Sequence, residues 1–233
     1  MKVRLLSLLA LLSALGAATP AADAPTDAEK AKAALQELGE FVGQWKASGE
    51  GTVDGKKAIW KETWEFAWKF GKDGDAFILV KVADAKFFTK AEVRYDVEKK
   101  VYTVAVTDKA DKTQAYAGKL TKGKFQLERK DEKSGDVHKL TINTSAGGVR
   151  LVAQYDVQTG GKGLAGTVYK TAGNKEGESF AGGGGKGKEC IVTGGLGTIG
   201  VSYLGSSYYV CCSGCKEEFD ANPKKYVDAL KKK

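Results

Sequence analysis

The sequence predicts a mainly β protein, in which an antiparallel barrel of about ten strands precedes a small α+β cysteine module made of a hairpin and short helices. Three observations carry this expectation. Short runs of alternating apolar and polar residues recur from residue 43 to about 171, with turn residues between them. A glycine-rich stretch then breaks the pattern at 172–187, and all four cysteines lie beyond it, in 188–233.

The first residues are predicted to lie outside the fold. Met1–Arg4 carries two positive charges, Leu5–Ala18 is an apolar run broken only by small residues, and further small residues follow at Ala21-Ala22. That is the layout of a secretory signal peptide, assigned to residues 1–24, and it is too short for a membrane span. No later segment is long and apolar enough for stable membrane insertion. The expectation is an exported protein, periplasmic or extracellular.

The whole chain of 233 residues carries a formal net charge of +8, and removing Lys2 and Arg4 leaves about +6. The remaining positive residues are scattered, apart from Lys231–Lys233. Export and dispersion argue against a nucleic-acid partner and support at most a weak attraction to anionic surfaces. A single histidine and a single methionine exclude a His-rich zinc cage, an HExxH protease and a Met-lined copper loop.

Residues 25–171 are expected to form a helix and the barrel. Asp27–Leu38 is rich in helix formers and acidic at its start, which suits the helix dipole. In the strand that follows the first, Trp64, Phe66, Trp68 and Phe70 fall on one face, while Thr63, Glu65 and Lys69 fall on the other with only Ala67 apolar among them. Similar runs are predicted near 43–52, 75–83, 89–97, 101–107, 113–120, 124–130, 137–144, 149–157 and 163–171. Closing this meander would remove the edges that so many strands present. Residues 172–187 read as a flexible tether, since four consecutive glycines form no stable element.

The remaining segment, 188–233, is too small for a core alone and needs a staple. A hairpin would return Cys190 to the Cys211–Cys215 turn. Lys216–Asp220 would be a first helical turn, and Asn222-Pro223 a cap and first-turn proline opening a second helix. Cys215 would then sit at a helix N-terminus, where partial positive charge favours thiolate. Three thiolates suit Cu(I) trigonally, or Zn(II) with an exogenous fourth ligand. Disulfides from Cys190 to Cys211 or Cys212 are the alternative staple, and a redox switch between the two states a third. Cys212-Ser-Gly-Cys215 has the form of a redox CxxC, but no βαβ pattern surrounds it.

The pattern Cys190-Ile-Val-Thr-Gly, Tyr203-Leu-Gly and Tyr208-Tyr-Val-Cys-Cys-Ser-Gly-Cys-Lys-Glu-Glu-Phe, ending Asn222-Pro-Lys-Lys-Tyr, resembles the YHS domain of the TRASH group of metal-binding cysteine modules. The resemblance implies soft-metal ligands at Cys190, Cys211 and Cys215, with Cys212 assisting. It departs from the family at Ile191, where proline is usual, and at Thr193, where a second cysteine would complete the first knuckle.

Gly43-Gln-Trp45 at the start of the first strand resembles the opening of lipocalin-like and nitrobindin-like calycin barrels, whose tryptophan plugs the barrel base. Such barrels often enclose an apolar ligand, with Trp64, Phe66 and Trp68 as candidate lining residues; the same rings can equally fill the interior. Nitrobindin-type proteins hold haem through a late histidine. The only histidine here, His138, lies well before the last strand and beside a turn, which argues for a solvated position and against haem.

Enzyme motifs are absent. There is no Gly-x-Ser-x-Gly elbow, and Gly195-Leu-Gly-Thr-Ile-Gly200 has no following helix to make it a dinucleotide loop. The sequence therefore points to an exported, non-enzymatic binder of copper or zinc. The alternatives are a carrier barrel for an apolar molecule, with a disulfide-stapled module, or a module that docks on a protein partner.

Overall fold

The structure, a computed structural model, describes residues 24–177 and 188–231. The signal-peptide assignment and the four consecutive glycines of the tether lie outside the described residues.

Helix α1 (Asp27–Gln36) begins with a capping box. Thr26 Oγ1 accepts the Glu29 N–H, and the Glu29 carboxylate accepts the Thr26 N–H, so two orphan donors are satisfied at once. A single 3-10 turn at Gly39–Phe41 leads into the barrel. Its ten strands are β1 (Gly43–Val53), β2 (Lys56–Phe70), β3 (Ala76–Ala83), β4 (Phe88–Asp96), β5 (Val101–Asp108), β6 (Thr113–Thr121), β7 (Lys124–Lys130), β8 (Val137–Ser145), β9 (Arg150–Gln158) and β10 (Gly166–Lys175). Each pairs antiparallel with its sequence neighbours, and β1 pairs with β10 from Trp45↔Lys175 to Gly51↔Tyr169, which closes the barrel.

Local chemistry sets the register. β1 and β2 are joined by Asp54-Gly55, both at positive φ, the mirror-image turn whose twist matches that of the strands. Lys122-Gly123 does the same between β6 and β7. The chain's alternation then decides what faces inward. Leu35, Leu38 and Phe41 are buried at the end of the barrel where the chain enters, and Tyr102 donates its hydroxyl to the Ala34 carbonyl 2.7 Å away. Trp45 is fully buried there and donates its indole N–H to the Phe41 carbonyl at 2.8 Å. β2 carries a buried carboxylate among its aromatic rings. Glu62 accepts the indole N–H of Trp60 at 2.7 Å and of Trp64 at 2.9 Å, which satisfies both oxygens.

The interior is filled. Trp64 and Phe66 face a cavity of about 40 Å³ together with Val80, Phe88, Phe125 and Leu140. That is space for a few waters, where a drug-sized ligand needs roughly 300 Å³ or more. Trp68 does not line this cavity; it is buried and stacked on Phe70. The space-filling alternative for these rings is therefore the one this packing matches. β10 continues to Lys175, four residues into the stretch expected to be tether, because Ala172–Lys175 keep their pairing with β1.

The cysteine segment follows as β11 (Lys188–Glu189), β12 (Leu196–Gly197), β13 (Ile199–Tyr203), β14 (Ser206–Val210), α2 (Ser213–Ala221) and α3 (Pro223–Leu230). Pro223 opens α3, where its missing N–H costs nothing. Helix α2 starts at Ser213 rather than Lys216, because Cys212 in extended backbone caps it by accepting the Cys215 N–H.

This segment is packed against the barrel, contrary to the freedom a tether suggests. β2 outruns β1: Gly43 pairs with Phe66, and Ala67–Phe70 have no β1 partner. The cysteine segment takes that free edge. The Trp68 N–H donates to Cys212 Sγ at 3.4 Å, Lys69 pairs with Glu217 at 2.8 Å, and Ser213 donates to Glu65 at 3.1 Å. Ala67, the only apolar residue on the outer face here, is buried where α2 crosses β2. Gly214 lies so close that a Cβ built on it would stand 1.7 Å from the Trp68 carbonyl oxygen. Barrel and cysteine residues form one continuous hydrophobic cluster.

Replacing Gly214 by alanine should therefore force α2 off the β2 edge and cost about 1–3 kcal/mol. Gly39→Ala, where an added methyl meets nothing within 4 Å, should be nearly neutral. Denaturant midpoints and the rate of thiol labelling in the two variants check this together.

Candidate metal centre

Three local features bring the cysteines together. Cys190 follows β11 and bridges in parallel to Tyr209 of β14. Its N–H donates to the Gly195 carbonyl at 2.6 Å, and its carbonyl accepts the Gly194 N–H at 2.8 Å, so the chain from Cys190 to Gly195 forms a tight knuckle. Gly194, at φ +77°, makes that reversal without strain. Cys211 directly follows β14, and Cys215 lies one helical turn further on, in the first turn of α2. The N-cap at Cys212 turns the chain between them, which sets Cys211 and Cys215 Sγ 3.4 Å apart.

The ligand atoms of Cys190, Cys211 and Cys215 all lie within 4.8 Å of one another, and all three residues are buried. Metal–sulfur bonds of about 2.3 Å place sulfurs roughly 3.8 Å apart, so the three fit around one ion with small adjustments. Thr193 sits over the trio. Its Oγ1 is 3.3 Å from Cys190 Sγ, 3.5 Å from Cys211 Sγ and 3.9 Å from Cys215 Sγ. The Thr193 carbonyl is held by Gln36 Nε2 at 2.6 Å, which ties the knuckle to the barrel's closing helix. The site is a set of three soft donors with a weakly coordinating hydroxyl where a fourth strong ligand would stand.

Cys212, grouped with these ligands from the sequence, is placed differently. Its sulfur lies 3.9 Å from Cys211 Sγ but accepts the backbone N–H of Cys215 at 3.5 Å and of Trp68 at 3.4 Å. Cys212 therefore lies at the edge of the trio, beside Cys211, and also touches the barrel through the Trp68 N–H. No disulfide joins the four cysteines in this structure.

The electrostatics favour thiolate at Cys190 and Cys212. Hydrogen bonds from Cys211 and Cys215, and then from Thr193, hold the Cys190 thiol well below its usual range against the opposing effect of burial. Bonds from Cys211 and Cys215, with the two backbone N–H groups, do the same for Cys212. The protons stay on Cys211 and Cys215, which the neighbouring sulfurs push upward. The N-terminus of α2 adds its partial positive charge. Lys32 of α1 lies within electrostatic reach. Burial and then Lys225 push its ammonium down, while Cys215 and Cys190 act the other way.

Two crevices reach the cluster. One of about 280 Å³, between barrel and module, is lined by Val42, Gln44, Glu65, Cys211 and Cys212. The other, of about 600 Å³, lies on the module's far side beside Gln36, Cys190, Thr193 and Tyr226.

Sequence reasoning named the trio and missed the contributions of Thr193, Gln36, Lys32 and the Trp68 N–H. The three-residue step from Cys190 to Thr193, the spacing of a two-ligand knuckle, was the available signal for the hydroxyl. His138 differs too. It shares its strand face with buried Leu140 and Ile142, so it turns inward and bonds Tyr155 Oη through Nδ1 at 2.7 Å rather than standing in solvent. No family model matches the chain, and no curated protein matches it.

The division of labour among the thiols has a measurable consequence. Cys212→Ser keeps a capping acceptor and should retain metal capture within about threefold, at a stability cost of about 1 kcal/mol. Cys190→Ser removes one of the three clustered sulfurs and should lower affinity for a thiophilic ion by at least about 100-fold. Competition against a chromophoric chelator measures both.

Proposed function

We propose that the chain is an exported, non-enzymatic protein that holds a soft metal ion in a YHS-like module, with Cu(I) the ion best suited to the site. The observation that carries this reading is the buried triad of Cys190, Cys211 and Cys215 sulfurs within 4.8 Å, capped by a hydroxyl. Cu(I) is satisfied by three thiolates, whereas structural zinc sites take four strong nitrogen or sulfur ligands. The only histidine lies on the barrel, and the Cys212 sulfur, though 3.9 Å from Cys211 Sγ, falls outside the mutual group of three and already accepts the Trp68 and Cys215 N–H groups. Zinc would need Thr193 or a water to complete its shell. When bound, the ion supplies a staple between the knuckle, the end of β14 and α2, which a segment this small lacks.

Because the module is docked on β2, the ion would be enclosed rather than carried on a swinging arm. That favours storage or sensing, with exchange through the two crevices beside Cys190 and Cys211. The signal-peptide pattern of the first residues supports a role outside the cytoplasm, where the oxidised alternative is a disulfide within the same cluster.

The deciding experiment is metal analysis with thiol titration on the mature chain, purified without reductant or chelator. One equivalent of copper per chain, lost in the Cys190→Ser/Cys211→Ser double variant, is the expected result. Chains without metal and without free thiols would overturn the reading. Thr193→Cys should convert the site to four sulfurs and raise Zn(II) and Co(II) affinity about 100-fold or more, with the visible bands of tetrahedral Co(II)–thiolate. Unchanged zinc affinity in this variant would remove the argument for a three-coordinate ion.

A further inference from the structure

The opposite end of the barrel holds a second cluster, independent of the cysteines. On neighbouring strands the inward face changes from apolar to polar at one level. Phe125 and Leu127 are followed by Arg129 on β7, Leu140 and Ile142 are preceded by His138 on β8, and Leu151 and Ala153 are followed by Tyr155 on β9. Tyr116 of β6, also buried, completes the group. These four residues line a cavity of about 120 Å³, with Phe88 and Val106 as its apolar wall.

The arrangement is costly as pure scaffold. Arg129 and His138 are direct cross-strand partners, so a protonated His138 would face the guanidinium across the ladder. Arg129 is mostly buried, and its Nε is the buried side-chain nitrogen that has no hydrogen-bond partner among the described residues. Such an orphaned donor costs about 1–3 kcal/mol. Its guanidinium lies over the Tyr116 ring at 5.7 Å, and one Nη donates to Asp131 at 3.2 Å. Asp131 pairs with Arg129 through Oδ2 alone, its Oδ1 accepting the N–H groups of Lys133 and Ser134 in the turn, and so leaves Nε unpaired.

The geometry points to a binding site for a small monocarboxylate, its carboxylate facing Arg129 Nε and the hydroxyls of Tyr116 and Tyr155, and its short apolar body against Phe88 and Val106. The wall chemistry selects this class over phosphate. Asp108 also lines the cavity, with one oxygen accepting from Ala110 and Lys112 in the turn, and its charge opposes a dianion about twice as strongly as a monoanion. Burial raises the Tyr155 and Tyr116 hydroxyls, so both remain protonated donors.

His138 supplies a proton-linked component. Burial and then Arg129 lower its pKa, against the opposing pull of Asp136 and Asp131. Neutral His138 accepts the Tyr155 O–H at Nδ1; protonated, it donates to the Tyr155 oxygen and frees that O–H for the ligand. An anion placed there favours the protonated form, so binding should tighten as pH falls through the His138 titration.

Calorimetric titration of the full chain with acetate, butyrate and inorganic phosphate tests this. Saturable binding of one butyrate per chain is expected, at least about tenfold tighter than phosphate, the discrimination of about 1.4 kcal/mol that Asp108 would impose. Tyr155→Phe, which keeps the ring packing, should weaken butyrate about tenfold, and Arg129→Met by more. His138→Asn should abolish the tightening at low pH. No saturable binding of either carboxylate, a preference for phosphate, or affinity unchanged in Tyr155→Phe would each overturn the proposal. Thiol and metal content need not change in any of these variants, so the result stands apart from the reading of the cysteine site.

Discussion

The edge of β2 beyond Phe66 is the constraint on which the two parts of the molecule depend. A fifteen-residue strand paired with an eleven-residue one leaves backbone donors and acceptors with no ladder partner. Left open, such an edge would be a template for association. The end of β14 and the start of α2 cover it, with a sulfur accepting the Trp68 N–H and a glycine allowing the Trp68 carbonyl to approach. This one contact orients α2, and the orientation of α2 places Cys215 under Cys211. The barrel therefore acts as part of the cysteine site rather than as a separate body joined to it.

The same contact divides the work of two adjacent cysteines. Both sulfurs lie close together, 3.9 Å apart, but one belongs to the trio while the other caps the helix and accepts a barrel N–H. Thr193 then closes the trio with an oxygen.

Much of this architecture was legible in the chain. The ten strands, their turns and the helix before them follow from period-two alternation, Gly-containing turns and an acidic helix start, all of which are local signals. The three sulfurs were legible because their spacing is itself a knuckle and a helical turn. Three things were hidden. Glu62 looks like an error on a buried face until its two indole partners, two residues away on either side, are seen to satisfy it. Cys212 reads as a ligand alone, and its second task, accepting a backbone N–H more than a hundred residues distant, is invisible in the sequence. The glycine-rich stretch suggests independence, since composition reports chain stiffness and says nothing about what the chain beyond it touches.

By itself the sequence determined which residues alternate, where the chain turns and which side chains offer soft donors, because these depend on neighbours a few positions apart. The tertiary structure decided the pairing of β1 with β10, the docking of α2 on a free strand edge, the role of each cysteine and the meeting of Arg129, His138, Tyr116 and Tyr155 at one mouth. Those outcomes turn on strand lengths and inward parity summed around a closed barrel, and closure is a property of all ten strands together that no local window contains.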